Sequence, residues 1–263
     1  MTRRTTIWPF LLLAFGIAWG WGALAYFVFD LSLVNPLVQI PGGFAPAVAA
    51  VVVRRWISRE GFADAGARPR LRAAWPYYLL AWLAPLGVAA VVLAVAATSG
   101  QWEPGLGDVV PGVPVWAVPL VLGLLALVTT PLFWGEEFGW TGYLLVRIAP
   151  GRPRVAALAA GLVAAIWHYP LVFTDYGQYR NVLFGLAGWT AWIMCQEVLL
   201  AWLRERSGSV WPACLAHAGN NMILAPLTGV LTTSGAVSNE AVQVLVVVVL
   251  AALALRPLLT APR

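Results

Sequence analysis

Apolar runs recur along the whole chain, each close to the roughly 20 residues that a helix needs to cross about 30 Å of hydrocarbon. They fall at 7–29, 34–53, 74–98, 115–146, 155–172, 183–203, 209–230 and 238–258. The pattern predicts an all-α polytopic membrane protein with about eight transmembrane helices and almost no soluble domain. The fourth run is too long for a simple crossing and is expected to tilt or to end as an interfacial helix. At the N-terminus, Arg3, Arg4 and the string Ala23-Leu24-Ala25 resemble a secretory signal. The apolar run continues to Phe29, however, which is long enough to span.

The polar stretches between the runs set an orientation. All sixteen basic residues are Arg. With a cytoplasmic N-terminus, the inner segments are 1–6, 54–73, 147–154, 204–208 and 259–263. At or beside their boundaries lie Arg3, Arg4, Arg54, Arg55, Arg59, Arg68, Arg70, Arg72, Arg147, Arg152, Arg154, Arg204, Arg206, Arg256 and Arg263, and only Arg180 falls outside. That bias predicts both termini on the cytoplasmic side, in a bacterial cytoplasmic membrane. The 54–73 loop reads as a topology determinant whose Arg cluster also suits anionic lipid headgroups. The 99–114 loop carries Glu103 and Asp108 without Arg, as suits an outer loop.

Composition agrees. The chain is 61% hydrophobic and 10% charged, against roughly 45–50% and about 25% in a soluble domain. Its net charge of +5 does not indicate nucleic acid, because the Arg residues are dispersed between apolar runs; membrane lipids are the expected surroundings. Cys195 and Cys214 lie within apolar runs, where a free thiol behaves as a small hydrophobe, and no disulfide framework is indicated.

Ionisable residues inside spans are expensive and mark cavities or partners. Here they are Glu136, Glu137, His168, Glu197 and His217, which include both histidines of the chain. At about 1.5 Å per residue, Glu136 lies about 16 Å from the inner end of its span, His168 about 21 Å less the loop, and His217 about 12 Å. Three spans thus bring titratable groups to comparable depth. Asn221 follows His217 by four residues and shares its face. A desolvated carboxylate suits a general base, and imidazoles with an amide can stabilise an oxyanion, so these parts would support hydrolysis of a peptide bond by an activated water.

The strings Gly135-Glu136-Glu137-Phe138-Gly139-Trp140-Thr141-Gly142-Tyr143-Leu144, Trp167-His168-Tyr169-Pro170, and Gly208-Ser209-Val210-Trp211-Pro212 leading to His217 and Asn221 resemble the CPBP family of intramembrane proteases. That group includes the type II CAAX prenyl endopeptidases and Abi-type bacteriocin-immunity proteins. The resemblance divides the chain into N-terminal helices with the Arg-rich loop (1–114), a catalytic core (115–230) and a C-terminal helix and tail (231–263). It implies Glu136 as the water-activating base, Glu137 in support, and His168, His217 and Asn221 positioning the water and stabilising the tetrahedral intermediate. The substrate would be a membrane-associated peptide or protein entering from the cytoplasmic side. Two positions depart from the family pattern. Thr141 stands where an Arg follows the second Glu by four residues, removing a cation that could orient the glutamates, and Ala164 stands where an aromatic precedes the first His.

No cofactor is required by this reading. Zn²⁺ is one option, with Glu136, His168 and His217 as ligands and a water in the fourth place, but no HExxH string occurs and a metal-free mechanism is favoured. Gly105-Leu106-Gly107-Asp108 matches the GxGD string of intramembrane aspartyl proteases, yet it lacks a second intramembrane Asp. The absence of Lys excludes a Ser–Lys dyad. Ser209 reads as a helix cap, and Glu197 as a paired structural acid. The alternatives are a proton-coupled transporter using Glu136, Glu137, His168 and Glu197 as a relay, and a catalytically silent immunity or binding scaffold.

Overall fold

The computed structural model describes residues 6–103, 105–106, 109–174, 179–235 and 237–260. Arg3, Arg4, Gly107, Asp108 and Arg263 lie outside the described residues. The described chain is helical and membrane-spanning, since in hydrocarbon a helix satisfies its own backbone groups. We number eight helical stretches α1 (Ile7–Phe27), α2 (Pro36–Ile57), α3 (Leu71–Thr98), α4 (Val115–Ile148), α5 (Pro153–Trp167), α6 (Val182–Ser207), α7 (211–233) and α8 (Asn239–Thr260). A short helix, Tyr169–Val172, follows α5.

Their ends are written in the sequence. Pro36, Pro153 and Pro212 sit in the first turns of α2, α5 and α7, where no N–H is missed. Asn35 and Asn181 accept from Leu37 N and Phe184 N. Gly208 closes α6 with φ 66°, a left-handed conformation that a side chain would strain. Ser209 does serve a helix start, its hydroxyl accepting from Trp211 N at 3.3 Å.

Among the described residues six helices, not eight, are long and apolar enough to cross a membrane. The two that fall short are α5, which is 15 residues long, and α7, which is interrupted by His217, Asn220 and Asn221. Of the two, α7 is the interior one, whereas α5 still exposes Val155, Leu158 and Leu162. The first half of α7 is buried from Pro212 to Gly219 with Ala216 alone half-buried, packed against α3, α4 and α6. A helix shielded from lipid need not be apolar on every face. The lipid-facing helices, by contrast, expose large apolar side chains such as Leu12, Leu37 and Val128. The fourth run forms one continuous stretch from 115 to 148, without an interfacial break.

Both described termini and most Arg-bearing segments lie at one end of the bundle. Tyr143 Oη donates to Thr6 O at 3.3 Å, and Arg154 Nη2 to Leu259 O at 2.9 Å. The 58–70 segment is strapped across this end. Arg204 Nη2 donates to Asp64 O, Val210 N to Gly66 O, and Trp211 Nε1 to Ala67 O. Beneath the strap, Arg54 and Arg147 are fully buried and paired with Glu60 and Asp64. The cluster expected to sit at the surface is therefore partly internal. Glu60 and Asp64, four residues apart, supply the countercharge that makes burial of two guanidinium groups tolerable.

Candidate active site

The di-glutamate string packs by its glycines. A Cβ on Gly135 would lie 2.7 Å from Gly43 O, and one on Gly139 would collide with Pro46. Gly135 and Gly139 thus form a small-xxx-small contact that lets α4 press on α2. The two intervening acids then face α5 and α7. Glu136 Oε2 lies 3.7 Å from His168 Nε2, and Glu137 Oε1 accepts from His217 Nδ1 at 2.8 Å. The second oxygen of each pair, Glu136 Oε2 and Glu137 Oε2, is buried without a hydrogen bond.

Each histidine is oriented by its other contacts. His168 Nδ1 donates to Ala164 O at 2.8 Å, which leaves Nε2 as the nitrogen facing Glu136. Trp167 anchors that turn to α1, donating to Ala14 O and receiving Trp19 Nε1 on its own carbonyl. Trp167 lies edge-on to His168, and Phe133 lies 4.8 Å from the His217 ring.

Two π turns flank the site, Trp140–Leu144 after the glutamates and Asn220–Leu224 after His217. Widening from α to π releases backbone carbonyls from their usual donors, and such bulges gather at functional sites. Glu137 O and His217 O keep a backbone donor three residues on, Trp140 N and Asn220 N, and the second residue of each turn adds a side-chain donor. Thr141 Oγ1 donates to Glu137 O at 2.8 Å, and Asn221 Nδ2 to His217 O at 3.1 Å. Thr141 is therefore integrated into the turn in its own way. A guanidinium does reach this turn, from α2: Arg54 Nη2 donates to Gly142 O at 3.3 Å.

A cavity of about 380 Å³ lies beside the site. His168, His217 and Asn221 line it, as does Glu197 from α6. It runs away from the Arg-rich end toward Tyr179, Thr232 and Asn239 at the other end of the bundle. At the Arg-rich end the strap and its ion cluster lie over the helices, and none of their residues lines this cavity. Glu197 was expected to be a paired structural acid, and instead its buried carboxyl has no hydrogen-bond or ion-pair partner among the described residues.

All five candidate residues thus come together: Glu136, Glu137, His168, His217 and Asn221. Sequence reasoning missed Asn220, which donates to Gln196 Oε1 and lines the cavity with it. The available signal is a polar amide inside an apolar run, Asn220 standing directly beside the candidate Asn221. Among the described residues no three His, Cys, Asp or Glu side chains are grouped so as to hold a metal ion. The Glu136, His168 and His217 set does not fit a zinc site in this arrangement.

Comparison with known proteins bears on this geometry directly. Residues 114–223 match the family described as type II CAAX prenyl endopeptidase Rce1-like. The matched segment contains both glutamates, both histidines and Asn221, in agreement with the resemblance carried by those motifs. The Rce1-like family is one of proteases, and the chain is an integral membrane protein. No individually curated protein matches the chain.

Proposed function

We propose that this Rce1-like protein is an intramembrane endopeptidase that hydrolyses a peptide bond of a membrane-associated peptide or protein, using a water activated by Glu136. The observation that carries the reading is the pair of glutamate–histidine contacts, one from each acid of the motif, at the head of a polar cavity. Glu136 Oε2 and His168 Nε2, at 3.7 Å, are close enough to contact one water together. Glu136 takes a proton from that water while the His168 Nε2 lone pair accepts its other hydrogen. The resulting hydroxide attacks the substrate carbonyl. His217, held through Nδ1 by Glu137, carries a proton on Nε2 and donates it as a hydrogen bond to the oxyanion. Collapse of the tetrahedral intermediate breaks the C–N bond, and Glu136 returns its proton to the departing amine. The products are a carboxylic acid and an amine, which part as a carboxylate and an ammonium, with one water consumed.

The Arg-rich end is assigned to the cytoplasmic face by its charge bias, which makes the cavity open toward the opposite leaflet. Membrane lipids surround the bundle. The test is cleavage of candidate membrane-associated peptides by the purified chain in lipid nanodiscs. Glu136→Gln and His217→Ala are each expected to lower turnover at least about 100-fold. Undiminished turnover in both would reject the mechanism.

A further inference from the structure

Glu197 is a buried acid for which the mechanism above has no use. Its residue is 2% exposed, it lines the cavity, and no hydrogen bond or ion pair satisfies its carboxyl among the described residues. The charged groups acting on it are Glu137 and Glu136, both of its own sign. Glu136 and Glu137 each have a histidine; Glu197 has none. No Arg lines the cavity among the described residues, and the chain has no Lys. Arg180, near the far end, has Glu240 beside it and lies outside the lining. The pocket therefore holds more acid than its own cations balance, in surroundings where an uncompensated carboxylate is costly.

We infer that Glu197 is a recognition site for a cationic group of the substrate, an ammonium or guanidinium carried next to the bond that is cut. This rests on the endopeptidase reading and specifies its substrate. The rest of the lining favours an organic cation. Trp189 and Trp192 lie on the same stripe of α6, and Tyr179 stands at the far end, so the route to Glu197 is walled by aromatic faces. Trp192 precedes Glu197 by about 7.5 Å of helix, a span that the stem of a Lys or Arg side chain can follow with its methylenes. A bare metal ion would find no three-ligand grouping here. The same charge balance disfavours a substrate that must bury a free C-terminal carboxylate in the cavity, because no Arg lines it among the described residues, the protonated His217 is already held by Glu137, and Thr141 occupies the family's Arg position.

The experiment uses the full chain in nanodiscs and labelled Ala/Leu peptides with both termini blocked, identical except for one central Lys, Gln or Glu. A fourth peptide carries Gln with a free amino terminus, which separates a terminal ammonium from a side-chain one. Two readouts are taken, kcat/KM in the wild type and Kd by fluorescence anisotropy in Glu136→Gln, so that binding is measured without turnover. The Lys peptide, or the free-amine peptide, is expected to exceed the blocked Gln peptide by about tenfold or more, with the Glu peptide weakest. Glu197→Gln should collapse that ratio to near one, and Glu197→Asp should restore it in part. An equal response to Lys and Gln in the wild type overturns the inference. So does a preference that survives Glu197→Gln, or a uniform loss of all four peptides in that variant. If no peptide is cut by the wild type, the endopeptidase reading fails, while the Kd comparison still decides the cation site.

Discussion

At the Arg-rich end of the bundle, Arg54 and Arg147 have no exposed surface, and each guanidinium meets a carboxylate: Asp64 at 2.8 Å for the first, Glu60 at 2.6 Å for the second. Both also lie over the Tyr143 ring. Further along the same helices, Glu136, Glu137 and Glu197 are buried or nearly so, and carboxyl oxygens are left over. The two regions have similar residues and similar burial, but opposite accounts of charge. Where opposite charges are matched, the cluster fastens loop 58–70 to the helices. Where acids outnumber cations, a water or a substrate must complete the set, and that region is the candidate site. Burial of charge alone does not separate structure from chemistry; the unsatisfied remainder does.

That distinction can be broken by a pair of substitutions with opposite signatures. Glu136→Gln keeps shape and removes a like charge from a crowded site, so it should lower kcat/KM by about 10²–10⁴ while the melting temperature in detergent holds or rises. Arg147→Ala leaves the catalytic set untouched and strips Glu60, Asp64 and the Tyr143 ring of a partner. It should cost about 2–4 kcal/mol of stability, somewhat under the usual value for breaking a buried pair because the acids are partly exposed. Activity per folded molecule should persist. A Glu136→Gln protein that melts far below wild type, or an Arg147→Ala protein that folds as well as wild type, would show that the division between the two ends is wrong.

How much of this was legible beforehand differs between the same two regions. Glu136, His168 and His217 stood out in the sequence because titratable groups are rare in apolar runs and their depths matched. Their pairing, Glu136 with His168 and Glu137 with His217, depends on how α4, α5 and α7 rotate, which spacing along one helix does not fix. Arg54 and Arg147 register in the sequence only as part of the charge bias, because topology rules count Arg without asking what faces it. The clue was present in Glu60 and Asp64, two acids in an otherwise basic loop. The direction of the cavity was not legible, since span order says nothing about which helices part. Nor were the π turns; only the packing of Gly135 and Gly139 on α2 and the side-chain donors at Thr141 and Asn221 reveal why the backbone widens there.

Thr141 offers a smaller test, on the boundary between the two regions. Its buried hydroxyl satisfies the Glu137 carbonyl. Thr141→Val is close in shape but cannot donate, so the Glu137 carbonyl keeps only the Trp140 backbone N–H and the loss of one hydrogen bond should cost about 0.5–1.5 kcal/mol. If the hydroxyl merely fills space, chemical denaturation will show no difference. If it holds the turn that aims Glu137 at His217, kcat should fall along with stability, and Thr141→Ser should recover most of both.

The smallest expected effect is the pH response of the strap. Burial raises the affinity of Asp64 for its proton, but the hydrogen bond and charge of Arg54, joined by the charge of Arg147, prevail and hold its pKa below the usual carboxylate value. A group whose folded pKa is depressed contributes stability above its unfolded pKa, about 3.9 for Asp, and loses it as pH falls through the folded value. The strap should therefore hold unchanged from neutrality down to about pH 5 and loosen only below about pH 4. Because Asp64 is one-third exposed, solvent screens its pairs and the loss should be modest. Hydrogen exchange of the Val210 N–H, which donates to Gly66 O and ties the strap to the head of α7, would register it. In Asp64→Asn the exchange there should already be faster at pH 7 and should respond less to acid. Exchange that changes with acid equally in both proteins would place the titrating group elsewhere and remove Asp64 from the fastening.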